Sequence, residues 1–405
     1  MLNKIMCSFI ICVFVNFHSI LVAQNVGIGT ITPAEKLDVN GNIKVDTLKP
    51  NALLITPNAG IGKILTSDDA GNANWEALVL PPPPNNYNGN IGYGVWGDCA
   101  TNGNISAYQP VADLTAGENR GFGCSVSVSG NVAVVGAYAD NPGIPFQGSA
   151  SIFVFNGMSW DFFQKLSDPE GASGDQFGDC VSISGDNIII GSPRDDESYS
   201  NQGSACFFHF NGTSWDFVEK IHQVQAAAGN EFGRSVNISG ERAIIGAPFT
   251  NASQGAASMY QFDGTSWQFM NQVAETFGSI DDYFGLSVGI IGDMAIVGVR
   301  GDDIDGYDDA GSAIVFQFNG TNWALLQKLS DATGSYNHFG SAVAISENNI
   351  LVGAPDTNLS YADQGKAYMY RFNGTTWIVS NLFTDIHPTP MAFYGTSVNL
   401  SGSYA

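Results

Sequence analysis

The residues best placed for chemistry are acidic. Asp302-Asp303-Ile304-Asp305-Gly306-Tyr307-Asp308-Asp309 carries five carboxylates in eight positions, and Asp195-Asp196-Glu197 forms a second acidic run. Hard cations such as Ca²⁺ need several converging oxygens, so Asp303, Asp305, Asp308 and Asp309 are the candidate metal ligands, although their spacing matches no EF-hand loop. For ligand binding the candidates are Asp195, Asp196, Arg300, Gly301, Asp302, Asp303 and Asp305. Acid–base or nucleophilic catalysis finds no equivalent. The five histidines stand at 18, 209, 222, 338 and 387, and the last four occupy unrelated places in the repeat described below. The chain holds no nucleophile elbow, no HExxH, no P-loop and no Rossmann fingerprint. No catalytic residue is therefore expected, and no cofactor beyond Ca²⁺.

Charge narrows the partners. With 38 acidic against 15 basic residues the net charge is −23, and no basic stripe occurs, which argues against nucleic acid. Cys99, Cys124, Cys180 and Cys206 do not recur between repeats, so they imply no disulfide framework.

The elements that must position these acids repeat. An aromatic-Gly pair stands at Phe122-Gly123, Phe177-Gly178, Phe232-Gly233, Phe284-Gly285, Phe339-Gly340 and Tyr394-Gly395, at intervals of 55, 55, 52, 55 and 55 residues. A second glycine follows the first by 13 residues in five units, at Gly136, Gly191, Gly246, Gly298 and Gly353. A third stands at Gly148, Gly203, Gly255, Gly311 and Gly365, and 12 residues after it come Trp160, Trp215, Trp267, Trp323 and Trp377. Only the interval between second and third glycine varies, as 12, 12, 9, 13 and 12. A period near fifty implies propeller blades or a solenoid.

Each unit reads as four strands. The first alternates small polar with β-branched residues (Ser125-Val126-Ser127-Val128), and the second is a continuous apolar run (Ile188-Ile189-Ile190) suited to a strand covered on both faces. The third is aromatic (Ile152-Phe153-Val154-Phe155) and runs into Asn-Gly or Asp-Gly, a hairpin pair that tolerates positive φ at both positions; the fourth starts at the tryptophan. The fold class expected is all-β: a β-propeller of four-stranded blades, five complete and a sixth truncated, forming part of a six- or seven-bladed ring. The Phe, Gly and Trp landmarks are expected to pack blade on blade.

These residues resemble a known family. The FG pairs, the endings Gly246-Ala247-Pro248, Gly353-Ala354-Pro355 and Gly191-Ser192-Pro193, and the GSA strand openings are similar to the FG-GAP repeat of integrin α-subunit propellers, in its shorter bacterial form. The resemblance covers roughly residues 100–405 and implies a propeller with a binding or adhesion role. Integrin-type repeats often carry an Asp-x-Asp-x-Asp-Gly calcium loop after the FG strand. Here that connection has shrunk to Ser129-Gly130-Asn131 and its equivalents, so those calcium sites do not carry over. Arg300-Gly301-Asp302 also matches a tripeptide that integrins recognise.

In an up-and-down meander the tight first-to-second and third-to-fourth turns share one end. The longer second-to-third and fourth-to-first loops emerge at the other, carrying Asp140, Asp168, Glu170, Asp175, Asp195, Asp196, Glu197, Asp281, Asp282, the 302–309 run, Asp356 and Asp363. That end is expected to be electronegative.

The N-terminal quarter differs. Lys4 and the apolar stretch Ile5–Val22, ending in Leu21-Val22-Ala23, read as a secretory signal over residues 1–23. Residues 24–80, with Asn25-Val26-Gly27-Ile28-Gly29-Thr30 and Leu37-Asp38-Val39-Asn40-Gly41, resemble β-rich stalk or head segments of Bacteroidetes-type surface and tail-fibre proteins, which implies trimerisation through the stalk. Residues 81–100, opening with Pro81 to Pro84, read as a linker, and 101–405 as a C-terminally incomplete propeller, because the sixth repeat stops at its first turn while Ala107–Leu114 reads as an orphan fourth strand. The expectation is a secreted or cell-surface, non-enzymatic binding protein whose partner is an extracellular protein or glycan. The alternatives are an accessory module of a larger exported hydrolase and a structural component of a surface fibre.

Overall fold

The computed structural model describes the strands at residues 26–28, 37–39, 63–67 and 73–77 and, apart from residues 276, 277, 332 and 388, the chain from 121 to 401. The signal expected over 1–23, the linker over 81–100 and the orphan strand over 107–114 lie outside the described residues. Contacts divide the chain into two units, 1–85 and 86–405. In the first, β1 (Val26–Ile28) pairs in parallel with β2 (Leu37–Val39), and β3 (Lys63–Ser67) pairs antiparallel with β4 (Ala73–Ala77).

The second unit contains five four-stranded antiparallel meanders, one per repeat. Blade 1 is β5 (Phe122–Ser129), β6 (Val132–Ala137), β7 (Ser149–Phe155) and β8 (Trp160–Leu166). Blade 2 is β9 (Cys180–Ser184), β10 (Asn187–Ser192), β11 (Ser204–Phe210) and β12 (Trp215–Ile221). Blade 3 is β13 (Ser235–Ser239), β14 (Arg242–Ala247), β15 (Ala256–Phe262) and β16 (Trp267–Val273). Blade 4 is β17 (Phe284–Ile291), β18 (Met294–Val299), β19 (Ser312–Phe318) and β20 (Trp323–Ser330). Blade 5 is β21 (Ala342–Ser346), β22 (Asn349–Ala354), β23 (Lys366–Phe372) and β24 (Trp377–Phe383). The all-β, five-blade reading holds, and each fourth strand does begin at its tryptophan.

Local chemistry explains each element. The second strands are buried along their length, as Ile188, Ile189 and Ile190 show, because each lies between two strands of its own sheet and under the next blade. Their β-branched side chains fit that two-sided setting. The first strand's alternation has a more specific cause than strand patterning. Ser125, Ser127 and Ser129 accept hydrogen bonds through Oγ from the backbone N–H groups of Val181, Ile183 and Gly185 on blade 2, at 3.0, 3.2 and 3.0 Å. Ser182 and Ser184 do the same for Ile238 and Gly240 on blade 3. Hydroxyls thus satisfy an otherwise unpaired strand edge.

The third-to-fourth hairpins differ from expectation. Positive φ occurs only at the glycine (Gly157, +99°; Gly212, +97°), while the preceding Asn stays outside that region. Asn156 instead uses its side chain: Oδ1 accepts from the N–H groups of Met158 and Ser159 at 2.8 and 2.9 Å, and Phe155 pairs with Trp160 across a four-residue loop. Asn211, Asp263, Asn319 and Asn373 form the same turn. An Asx turn, rather than a two-residue primed turn, closes every hairpin.

The three glycines per repeat form the blade joint. A Cβ on Gly136, Gly191, Gly246, Gly298 or Gly353 would overlap the carbonyl oxygen of the next blade's FG glycine. Gly178, Gly233 and Gly340 also donate their N–H to the carbonyls of Gly191, Gly246 and Gly353, each at 3.0 Å. The third glycine bridges in parallel to the next FG aromatic, Gly148 to Phe177 and Gly203 to Phe232, where a Cβ would again meet main chain. Phe177, Phe232, Phe284 and Phe339 are consequently fully buried.

Candidate functional site

Four sequence positions recur at the loop end of each joint. One follows the end of the fourth strand, eight residues after its tryptophan; one stands two before the next FG aromatic; one stands four after the second glycine of the next blade; and one lies in that blade's fourth strand, five after its tryptophan. Joint 1/2 holds Asp168, Asp175, Asp195 and Lys220 at these places. Joint 2/3 holds Gln223, Asn230, Thr250 and Gln272; joint 3/4 holds Glu275, Asp282, Asp302 and Lys328; joint 4/5 holds Asp331, Asn337, Thr357 and Leu382.

Charge and burial organise each set. Lys220 Nζ lies 2.9 Å from Asp168 Oδ2 and also pairs with Asp195, which accepts from Ser204 Oγ at 2.6 Å. Burial alone would raise the Asp195 carboxyl, but hydrogen bonds from His222, Lys220 and Ser204 hold it well below the usual carboxylate range. Burial would likewise lower Lys220, yet Asp195 and Asp168 raise it above its ordinary value. In joint 3/4 Lys328 Nζ lies 2.6 Å from Glu275 Oε1 and 2.5 Å from Asp302 Oδ2. Joint 2/3 is linked without charge and through Gln223: Asn230 Nδ2 donates to Gln223 Oε1 at 2.7 Å and Gln223 Nε2 to Thr250 Oγ1 at 3.0 Å. In joint 4/5 a lysine from another strand, Lys366, pairs with Asp331 at 2.5 Å.

Most acids of the loop end therefore fall into two groups. Asp140, Asp168, Asp175, Asp195, Asp282 and Asp302 are buried and serve the blades. Asp196, Glu197, Asp303, Asp305 and Asp308 are exposed. Among the binding candidates this removes Asp195 and Asp302, since a carboxylate 2% or 6% exposed and bonded to lysine is not offered to a partner. It also breaks the Arg300-Gly301-Asp302 reading. Gly301 is packed against the Asp281 carbonyl, and Arg300 turns to Asp356 (3.8 Å) and His338 (3.5 Å). Asp196 Oδ1 accepts from the Asn201 N–H, and Asp303 Oδ1 from the Asp309 N–H at 2.9 Å, so both brace their own loops. Asp305 and Asp309 adopt left-handed backbone at φ +53° and +48°. Asp303, Asp305, Asp308 and Asp309 do not supply any three ligand atoms within 4.8 Å of one another. The carboxylates that do converge, in joints 1/2 and 3/4, already enclose an ammonium group.

Exposed side chains missed by the sequence reading complete this end. Four residues before the third glycine stand Ile144, Tyr199, Tyr307 and Tyr361, which are 37%, 52%, 39% and 46% exposed. Tyr336 adds another exposed ring. A concavity of about 430 Å³ is lined by Glu275, Ser279, Asp302, Asp303, Ile314, Leu325 and Lys328 of joint 3/4 and its surroundings. The spacing of the tyrosines from the third glycine was available in the sequence, but only the fold shows that the position points outward.

Comparison with known proteins agrees with this geometry. No curated relative matches the chain. A family model described as the FG-GAP repeat matches residues 111–155, 160–208, 215–261, 271–316 and 323–370, together more than half of the chain. Four of the five matched segments begin in a fourth strand and end in the third strand of the following blade. The unit these matches share is thus the joint with its glycines, and the chain belongs to the FG-GAP repeat family.

Proposed function

We propose that this protein is an exported, non-enzymatic binding or adhesion module that recognises an extracellular protein or glycan through the loop end of its blades. The observation that carries the reading is the placement of exposed Tyr199, Tyr307 and Tyr361 at the same position in blades 2, 4 and 5, among exposed Asp196, Glu197, Asp303, Asp305 and Asp308. Rings with two torsions and a polar tip give contact area at low entropic cost, and tyrosine is enriched at binding surfaces for that reason. The surrounding carboxylates suit hydrogen-bond donors such as sugar hydroxyls or basic side chains. The FG-GAP family supports a binding role, and the exported setting rests on the signal-like N-terminus.

The test is binding of the labelled chain to a glycan array and to a panel of extracellular proteins. A Tyr199→Ala/Tyr307→Ala/Tyr361→Ala variant with unchanged melting temperature is expected to lose at least about tenfold in affinity, as hot-spot rings do. Unchanged binding by that variant would remove the loop end from the account.

A further inference from the structure

Joints 1/2 and 3/4 carry a charge imbalance that their counterparts lack. Joint 2/3 has no charged member among its four residues, and in joint 4/5 the single carboxylate Asp331 meets the single ammonium of Lys366. Joint 1/2 instead gathers three carboxylates, Asp168, Asp175 and Asp195, with oxygens within 4.8 Å of one another around one lysine, and joint 3/4 gathers Glu275, Asp282 and Asp302 in the same way. Asp168, Asp175 and Asp195 are each 2% exposed, as is Asp282. Two uncompensated negative charges in such a setting are costly, since like charges at this separation and in reduced dielectric do not all stay ionised.

Repetition shows which group gives way. The position two before the FG aromatic is Asn in both balanced joints (Asn230, Asn337) and Asp in both unbalanced ones (Asp175, Asp282). In joint 2/3 that residue is a donor, from Asn230 Nδ2 to Gln223 Oε1. An aspartate in the same place can donate only as the acid. Asp175 Oδ2 already accepts from the Ala172 N–H at 2.5 Å, and Asp282 Oδ2 from the Ser279 N–H, which leaves the second oxygen of each to carry a proton.

We propose that Asp175 and Asp282 are neutral carboxylic acids in the folded protein at mildly acidic pH, each donating to a neighbouring carboxylate of its joint, and that joints 1/2 and 3/4 weaken as rising pH removes those two protons. Every charged group around each site takes part. Asp175 faces Asp168 from its own loop, Asp195 and Glu197 from the second-to-third loop of blade 2, and Lys220 and His222 from the fourth strand and its end. Asp282 faces Glu275 from its own loop, Asp302 and Asp303 from the loop of blade 4, and Lys328 from β20. Burial pushes both carboxyls up, with Asp195 and Asp168 adding to it at Asp175, and with Asp302, Glu275 and Asp303 carrying Asp282 to about 6. Because the folded value lies above the unfolded one, the folded chain holds a proton that the unfolded chain has released. At Asp282, stability therefore falls as pH rises through the window from about 4 to about 6 and stays lower above it, and at Asp175 the direction is the same.

The experiment is thermal unfolding of the 405-residue chain between pH 5 and 8, for the wild type, Asp175→Asn, Asp282→Asn and the double variant, each with and without a divalent cation (Ca²⁺). Asn mimics the neutral acid at every pH. The wild type is expected to lose roughly 2–4 °C through Asp282 on going from pH 5 to 8, with a further loss in the same direction through Asp175. Each single variant is expected to remove part of that slope, and the double variant to melt at pH 8 at least as high as the wild type. A slope unchanged in the double variant would overturn the proposal, as would a melting temperature at pH 8 lowered by Asn. Ca²⁺ raising the wild-type melting temperature at pH 8 but not that of the Asn variants would also overturn it, because a metal rather than a proton would then balance the charge.

Discussion

Joints 1/2 and 2/3 have the same backbone and opposite chemistry. Both rest on a second glycine pressed against the next blade's FG carbonyl (Gly136 on Gly178, Gly191 on Gly233) and on a buried FG phenylalanine. Above that contact one joint holds three carboxylates and a lysine, the other two carboxamides, a hydroxyl and Gln272. Backbone proximity fixes the blade-to-blade geometry, and the polar set has only to satisfy itself. A charged set does so at the risk of stranding a charge, whereas a neutral set carries no such hazard.

The comparison can be broken most severely at the glycine. Gly136→Ala and Gly191→Ala are each expected to cost more than about 4 kcal/mol, equally in the two joints, because the added methyl meets main chain that cannot step aside; urea denaturation measures this. Next comes the lysine. Lys220→Met should cost about 3–5 kcal/mol by taking the ammonium partner from buried Asp168 and Asp195, while Gln272→Met at the neutral joint should cost less than about 1 kcal/mol. The comparison is sharpened by converting one joint into the other. Asp168→Gln/Asp175→Asn/Asp195→Thr/Lys220→Gln is expected to be more stable than Lys220→Met alone, and to lose the part of acid sensitivity that comes from Asp195. Asp195 is held below its ordinary value when folded, so it contributes stability above the unfolded carboxylate range, and that contribution disappears as the pH falls through its folded value. The smallest effect lies outside the joints. Glu347 occupies the first-to-second turn with φ +47°, where the other four blades have Gly130, Gly185, Gly240 and Gly292, so Glu347→Gly should gain about 1 kcal/mol in the same denaturation experiment.

Much of this architecture was legible because glycine and aromatic residues leave a strict period, and the blade count, the four strands and the tryptophan starts follow from it. The hairpins were misread because Asn-Gly is ambiguous between a backbone solution with two positive φ values and the side-chain solution that Asn156 adopts. The joint's left-handed residues left no trace in composition. Asn201 and Glu231, or Asp309 and His338, pair N–H to C=O across the joint at positive φ, with residue types that share nothing. The acids misled most, since Asp195 and Asp196 are neighbours in sequence, yet one faces the blade and the other solvent. Only the register of loop against strand separates a carboxylate that holds the fold from one that a partner could reach.

That separation assigns recognition to the exposed group alone, and one measurement tests it directly. Binding to a glycan or protein captured by the wild-type chain should fall at least about tenfold in Tyr199→Ala/Tyr307→Ala/Tyr361→Ala and stay within about twofold in Asp175→Asn, which alters only a buried joint. Equal binding by the tyrosine variant, or a loss of affinity in Asp175→Asn at unchanged melting temperature, would contradict the account.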